Sequence, residues 1–178
     1  MIEEIRKYDK DFNEATFISK VDHIFIMILN AIMDNNIDSV KHYLSNDVYK
    51  KYNELVTTYK QKGLTRLFDE MNIKKTEIIN YNIINNNIII IVKIDTRYMD
   101  YFIDSNGDYV SGINNHRIQK EFFIKLKKPI NSKGLLEARR CNNCGKTLDI
   151  NDSGICPYCK QVINIENNEY IVIDINEN

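Results

Sequence analysis

The amino-acid sequence predicts an α+β fold, with helices packed on a curved antiparallel sheet and a small cysteine-paired module after it. Three observations carry this. Apolar residues in the first third recur at helical spacing, the pattern turns to strand-like alternation at Ile73, and all four cysteines fall between Cys141 and Cys159. Helices first and a run of long strands afterwards place the helices on one face of an antiparallel sheet, because alternating elements would be needed for a parallel one.

The 178 residues suffice for one core and a small appendage. With 43% hydrophobic and 28% charged residues the composition is that of a soluble globular protein, and six glycines and two prolines are too few for a linker-dominated chain. The net charge of -1 gives no overall field for nucleic acid or an anionic membrane. The run IFIMILNAIM, Ile24 to Met33, is broken by Asn30 and flanked by Asp22 and Asp34. It falls short of the roughly 20 apolar residues of a bilayer span and lacks a signal peptide's basic flank. A soluble, cytoplasmic protein is therefore expected.

From Asp11 to Met33, apolar residues at 17, 21, 24/25, 28 and 31/32 share one helical face, and those at 26, 27 and 29 widen it. Asn35-Asn36 breaks this helix. Asp38 is expected to cap a short helix through Tyr43, and Ser45 a third, whose stripe is Val48, Tyr52, Leu55, Val56 and Tyr59. Gly63 suits the left-handed position that ends it. LTRLFDEM, Leu64 to Met71, reads as one more short helix. EIINYNII, an asparagine turn and IIIIVKIDTRYMDYFID then read as a hairpin. Ile88, Ile90, Val92, Ile94, Tyr98 and Phe102 share one face of its second strand, and Lys93, Asp95 and Arg97 the other. After the turn Ser105 to Asp108, a strand over 116–127 points Ile118, Phe122, Ile124 and Leu126 inward. A linker leads from there to the cysteines, and EYIVIDI closes the chain as a strand. The domain division is 1–135 for the α+β domain and 136–178 for the cysteine module with its terminal strand.

Cys141-x-x-Cys144 and Cys156-x-x-Cys159 stand eleven residues apart. Each CxxC turn sets two thiolates on one side, and two facing turns complete the tetrahedron that zinc favours. Gly145 gives the first turn its backbone freedom, and Pro157 sits inside the second. The spacing resembles a short zinc ribbon; iron takes the same ligands. Disulfides would suit a secreted protein, and a redox CxxC belongs at the start of a helix after a strand; neither context is visible. Zinc bound by Cys141, Cys144, Cys156 and Cys159 would have a closed shell, so the site would be structural rather than catalytic.

Other constellations are weaker. His23, His42 and His116 are scattered, which fits surface positions. Asp95, Asp100 and Asp104 lie on or near one strand and could serve as general bases in a cavity, but Asp95 alternates with Lys93 and Arg97 as in an ion-paired face. No phosphate loop, GxSxG or HExxH occurs. Residues 117–140 carry eight Lys/Arg (Arg117, Lys120, Lys125, Lys127, Lys128, Lys133, Arg139, Arg140) against two acids. This stretch could meet anionic lipid or an acidic partner, or simply be a solvated sheet edge whose lysines prevent aggregation. Nucleic-acid binding is weaker again, because no aromatic stacking motif accompanies the cations.

The opening segment DKDFNEATFISKVDHIFIMILNAIMDNNIDSVKHYLSNDVYKKY resembles the TIM-forty-four-like domain family, through Asp9, Phe12, Phe17, Val21, Phe25, Ile28, Ala31, Asp38, Leu44 and Ser45. Tyr59 and Gly63, then MDYFIDSNGDYVSG, continue the resemblance, and LEARRCNNCGKTL…GICPYCK is similar to the C-terminal zinc ribbon of bacterial members. Ile32 departs from it, standing where the family often has an aromatic residue. The resemblance implies a cone-like fold of the nuclear-transport-factor-two type with a cavity between helices and sheet. It further implies a non-enzymatic, transport-related binding or scaffold role at a membrane, with a protein partner and an anionic membrane surface as its contacts. The alternatives are a cavity-bearing enzyme using a strand Asp and a nucleic-acid binder.

Overall fold

A computed structural model describes residues 1–130, 144, 146, 156, 158–160 and 170–178. Its elements are α1 (Ile2–Arg6), α2 (Glu14–Met33), a 3₁₀ segment (Ile37–Tyr43), α3 (Asn46–Gln61) and four strands: β1 (Thr65–Ile84), β2 (Asn87–Ile103), β3 (Tyr109–Pro129) and β4 (Ile171–Glu177). The strands form one antiparallel sheet in the order β1-β2-β3-β4.

Helix α2 begins where the Asn13 side chain accepts a 3.0 Å hydrogen bond from the Thr16 amide. That bond satisfies one of the amides a helix start leaves unpaired. It ends at Met33, two residues before Asn35, whose φ of 50° turns the chain and whose side-chain amide donates to the Leu64 carbonyl. Phe17, Val21, Ile24, Phe25, Ile28, Leu29, Ala31 and Ile32 are buried, while Ile26 and Met27 are half-buried, so the widened apolar face is real. By length and composition alone α2 could cross a membrane. Here it is the core helix, and Phe25 meets Phe122 of β3 at 4.8 Å between ring centroids. Each large side chain buried this way contributes about 1.5–3 kcal/mol.

The receiving face of the sheet is the one expected. Ile88, Ile90, Val92, Ile94 and Tyr98 are fully buried, and Phe122, Ile124 and Leu126 join them from β3. Phe102 and Ile118 are half-buried, Phe102 against Tyr59 of α3. Thr96 is buried on this face and donates to the Lys120 carbonyl at 2.9 Å, so its hydroxyl costs little there. Asn85 and Asn86, both at positive φ, make the two-residue turn between β1 and β2, a conformation asparagine tolerates. At the next turn the Asp104 carboxylate accepts from the Asn106 and Asp108 amides.

Four expectations are corrected. Leu64 to Met71 is not a helix: from Thr65 on it is the start of β1, pairing with Met99–Ile103 before a bulge at Glu70. The reason is partner length, since β2 would otherwise leave the edge of its last five residues, Met99–Ile103, bare. Asp38 does not cap the 3₁₀ segment; its carboxylate accepts from the Tyr49 hydroxyl at 2.6 Å, while Ser45 caps α3 through the Val48 amide. Lys125 and Lys127 are not on a sheet edge, because β4 pairs with Phe122–Lys127; Arg117 and Lys120 precede the part of β3 that β4 covers. The terminal strand, expected with the cysteine module, is the fourth strand of the main sheet. Its Ile171, Val172 and Ile175 are buried, and the Val172 carbonyl accepts from the Ser45 amide at 2.8 Å.

Candidate metal centre and the charged sheet

Three cysteines converge. The Sγ atoms of Cys144, Cys156 and Cys159 all lie within 4.8 Å of one another, and those of Cys144 and Cys156 are 3.7 Å apart. Four sulfurs bound to one zinc at about 2.3 Å stand about 3.8 Å apart, so this spacing fits a shared tetrahedral ion. Cys156 is buried, Cys159 half-buried and Cys144 exposed. The second CxxC turn closes through a 2.9 Å bond from the Lys160 amide to the Cys156 carbonyl, with Lys160 at a φ of 60°. Lys146, two residues after Cys144, lies 5.6 Å from the Tyr158 ring, a contact between the two turns. Cys141, Gly145 and Pro157 lie outside the described residues, as do Lys133, Arg139 and Arg140.

The strand aspartates are occupied with ion pairs and turns. Asp100 takes a bidentate pair from Arg66, with Nε and Nη2 at 2.8 and 2.6 Å, and both side chains are less than one-fifth exposed. Arg66 also stacks over Phe68 at 4.7 Å. Asp95 pairs with Lys93 at 3.1 Å, and Lys93 reaches Glu121 at 2.7 Å. Those two acceptors hold the Lys93 ammonium above its usual range. Asp104 serves its turn.

Four of the five cations of β3 are likewise matched: Arg117 to Glu70 at 3.4 Å, Lys120 to Glu177 at 3.1 Å, Lys125 to Asp174 at 2.8 Å and Lys128 to Asp9 at 2.8 Å. Asp9 also accepts from the Tyr170 hydroxyl at 3.0 Å, and Lys128 lies over that ring at 5.3 Å. Burial first, then Asp9, pushes the Tyr170 phenol up, so it is a neutral donor. One carboxylate thus joins the N-terminal segment, the end of β3 and the start of β4. Among the described residues most of the local cationic excess is therefore taken up in ion pairs across the sheet and with the N-terminal segment.

The histidines stay apart: His116 is exposed and contacts Asn115, His42 stacks on Tyr43, and His23 is on α2. Sequence reasoning missed Arg66, hidden in the presumed helix, and missed Asp9, Asp174 and Glu177 as partners of the β3 cations. The signal for Arg66 was the length mismatch between the eight residues of EIINYNII and the much longer second strand.

The Tim44-like domain model matches residues 1–134, a span that takes in α1 through β3. The chain belongs to the Tim44-like domain family. Among curated proteins it is similar to the mitochondrial import inner membrane translocase subunit TIM44-1 of Arabidopsis thaliana, 26% identical over 111 residues. The aligned region is 61% of this chain and 23% of that relative, so the likeness covers less than a quarter of the plant protein.

Proposed function

We propose that this Tim44-like chain is a non-enzymatic, transport-related binding module that works at a membrane surface. Its α+β body receives a protein partner, and Cys141, Cys144, Cys156 and Cys159 hold a structural zinc ion. The observation that carries the first half is the family match over 1–134, which coincides with the helices and three of the four strands of the body. The plant relative's name, an import translocase subunit of the inner membrane, supports the link to transport and to a membrane. The pairing of Asp95 and Asp100 with Lys93 and Arg66 speaks against a strand carboxylate as general base. For the metal, the support is the 3.7 Å sulfur spacing and the four-cysteine pattern. A closed sulfur shell leaves no position for substrate, and the ion would fix the two CxxC turns against each other.

Affinity purification from the native organism, with membrane and soluble fractions analysed separately, tests the binding role. A reproducible partner in the membrane fraction is the expected outcome; recovery of the chain alone from both fractions would sink it. Flotation with anionic liposomes at low and high salt tests direct lipid contact, and failure to float at low salt removes that part. Metal analysis should give about one zinc per chain. Soluble protein purified without chelator and free of metal would end the zinc assignment.

A further inference from the structure

The metal centre is asymmetric in a way a purely structural site does not require. Cys144 is exposed, Cys156 is fully buried, and their sulfurs belong to different CxxC turns yet stand 3.7 Å apart. A metal-bound cysteine is a thiolate, the nucleophilic form of the side chain. Its rate of reaction with a small oxidant then depends largely on access. Of the three described cysteines, Cys144 is the most exposed residue.

We propose that Cys144 and Cys156 are a peroxide-responsive pair, with Cys144 as the reacting thiolate and Cys156 as the resolving one. The inference rests on the metal assignment proposed above and adds a chemical response to it. In the first step the Cys144 sulfur attacks hydrogen peroxide. An S–O bond forms, the O–O bond breaks and hydroxide leaves, so Cys144 becomes a sulfenic acid. In the second step the Cys156 thiolate attacks the Cys144 sulfur. The S–S bond forms, the S–O bond breaks and a second hydroxide leaves. The two thiolates lose two electrons in all, the peroxide gains two, and two protons from solvent turn both hydroxides into water.

The geometry permits this cross-turn product. The sulfurs must close only from 3.7 Å to a bond of about 2.05 Å. Each thiolate consumed is also a ligand withdrawn, so oxidation couples to loss of the ion. A dithiol reductant restores both thiolates and with them the capacity to bind metal.

The test uses the full chain loaded with zinc and challenged with hydrogen peroxide. A chromogenic chelator follows metal release, a sulfenic-acid trap marks the first cysteine oxidised, and peptide mapping without reduction identifies the disulfide. Release of the bound zinc, first trapping at Cys144 and a Cys144–Cys156-linked peptide are expected. The proposal is overturned if the first trapped residue is Cys156 or Cys159, if Cys156 links to Cys159 instead, or if zinc stays bound while peroxide is consumed. In each of those cases the zinc assignment stands. A chain that takes up no zinc before peroxide is added would remove the assignment and the inference together. Cys144→Ser serves as a second arm, because in variant molecules that still hold metal, release by peroxide should slow by about tenfold or more.

Discussion

The body and the cysteine segment are specified in opposite ways. In the body, residues 1–130 and 170–178, no single side chain defines the fold. Three long strands and one helix share an apolar face, and the pairing register repeats the same information along each strand. In the cysteine segment the chemistry rests on four residues, three of them converging within 4.8 Å. Redundancy lets the body absorb a local ambiguity, whereas the proposed four-ligand site would have no spare. The two should therefore respond differently to the same kind of insult.

The largest effect belongs to the body. Phe122 is buried between Phe25 of α2 and Tyr98 of β2, so Phe122→Ala should cost about 3–5 kcal/mol, read as a fall in the urea midpoint at unchanged slope. A loss under about 1 kcal/mol would mean that helix and sheet are held by something other than this contact. Gly112 is the next test. It sits at a φ of 105°, and a Cβ there would lie 2.5 Å from the Asp100 carbonyl oxygen and 2.6 Å from the Tyr101 Cα. Neither backbone atom can move without opening the β2–β3 ladder. Gly112→Ala should cost about 2–3 kcal/mol, and Gly107→Ala, with nothing within 4 Å, clearly less.

How much of this was legible follows from the same distinction. The period-two face of β2 was readable because alternate residues from Ile88 to Ile94 are β-branched and buried. Gly63 and Asn85–Asn86 were readable because few residues tolerate positive φ. Leu64 to Met71 was not: Leu64, Leu67, Phe68 and Met71 have helical spacing, and only the non-local demand of β2 turns them into strand. The convergence of Cys144, Cys156 and Cys159 was legible from spacing alone, since two facing CxxC turns bring their thiols together. The partners of the β3 cations were hidden for the opposite reason. Asp9 and Asp174 lie 119 and 49 residues away from Lys128 and Lys125, and nothing local marks them.

Asp9 tests the seam between the regions, because it ties β3 to β4 where the cysteine segment leaves and returns. Lys128 and Asp9 are 12% and 10% exposed, so Asp9→Ala would leave a nearly buried ammonium and the Tyr170 hydroxyl without their acceptor. A cost of about 1–3 kcal/mol is expected. Replacing both charges, as Asp9→Ala with Lys128→Met, should recover part of it, since the penalty lies mainly in the stranded charge. No recovery would show that Asp9 acts through backbone geometry instead.

Acid should act weakly on the same strand pair. The hydrogen bond from Lys125, above all, holds the Asp174 carboxyl below its usual value. A carboxylate with a depressed folded pKa stabilises the fold above its unfolded pKa of about 3.9, and that contribution is lost as pH falls through the lower folded value. Both side chains are substantially exposed, so the effect is small. Lys125→Met should make the chain slightly less stable near neutrality and leave it unchanged at the acid end. A stability difference that persists undiminished below the folded pKa would assign Lys125 a packing role instead.

The smallest expected effect is the sharpest test of the comparison. Residues 130–170 form the connection from β3 to β4, and a shared ion would join Cys144 to Cys156 within it. Because closure entropy grows only with the logarithm of loop length, a link of that span should stabilise β4 pairing by about 0.3 kcal/mol. Cys156→Ser, or zinc removal by chelator, should therefore loosen residues 138–165 while amide exchange in β4 and α2 barely changes. A fall of more than about 1 kcal/mol in the stability of the body could not come from the tether. It would mean that buried Cys156 and its surroundings pack against the sheet, and the cysteine segment would then be part of the body's core rather than a separately specified unit.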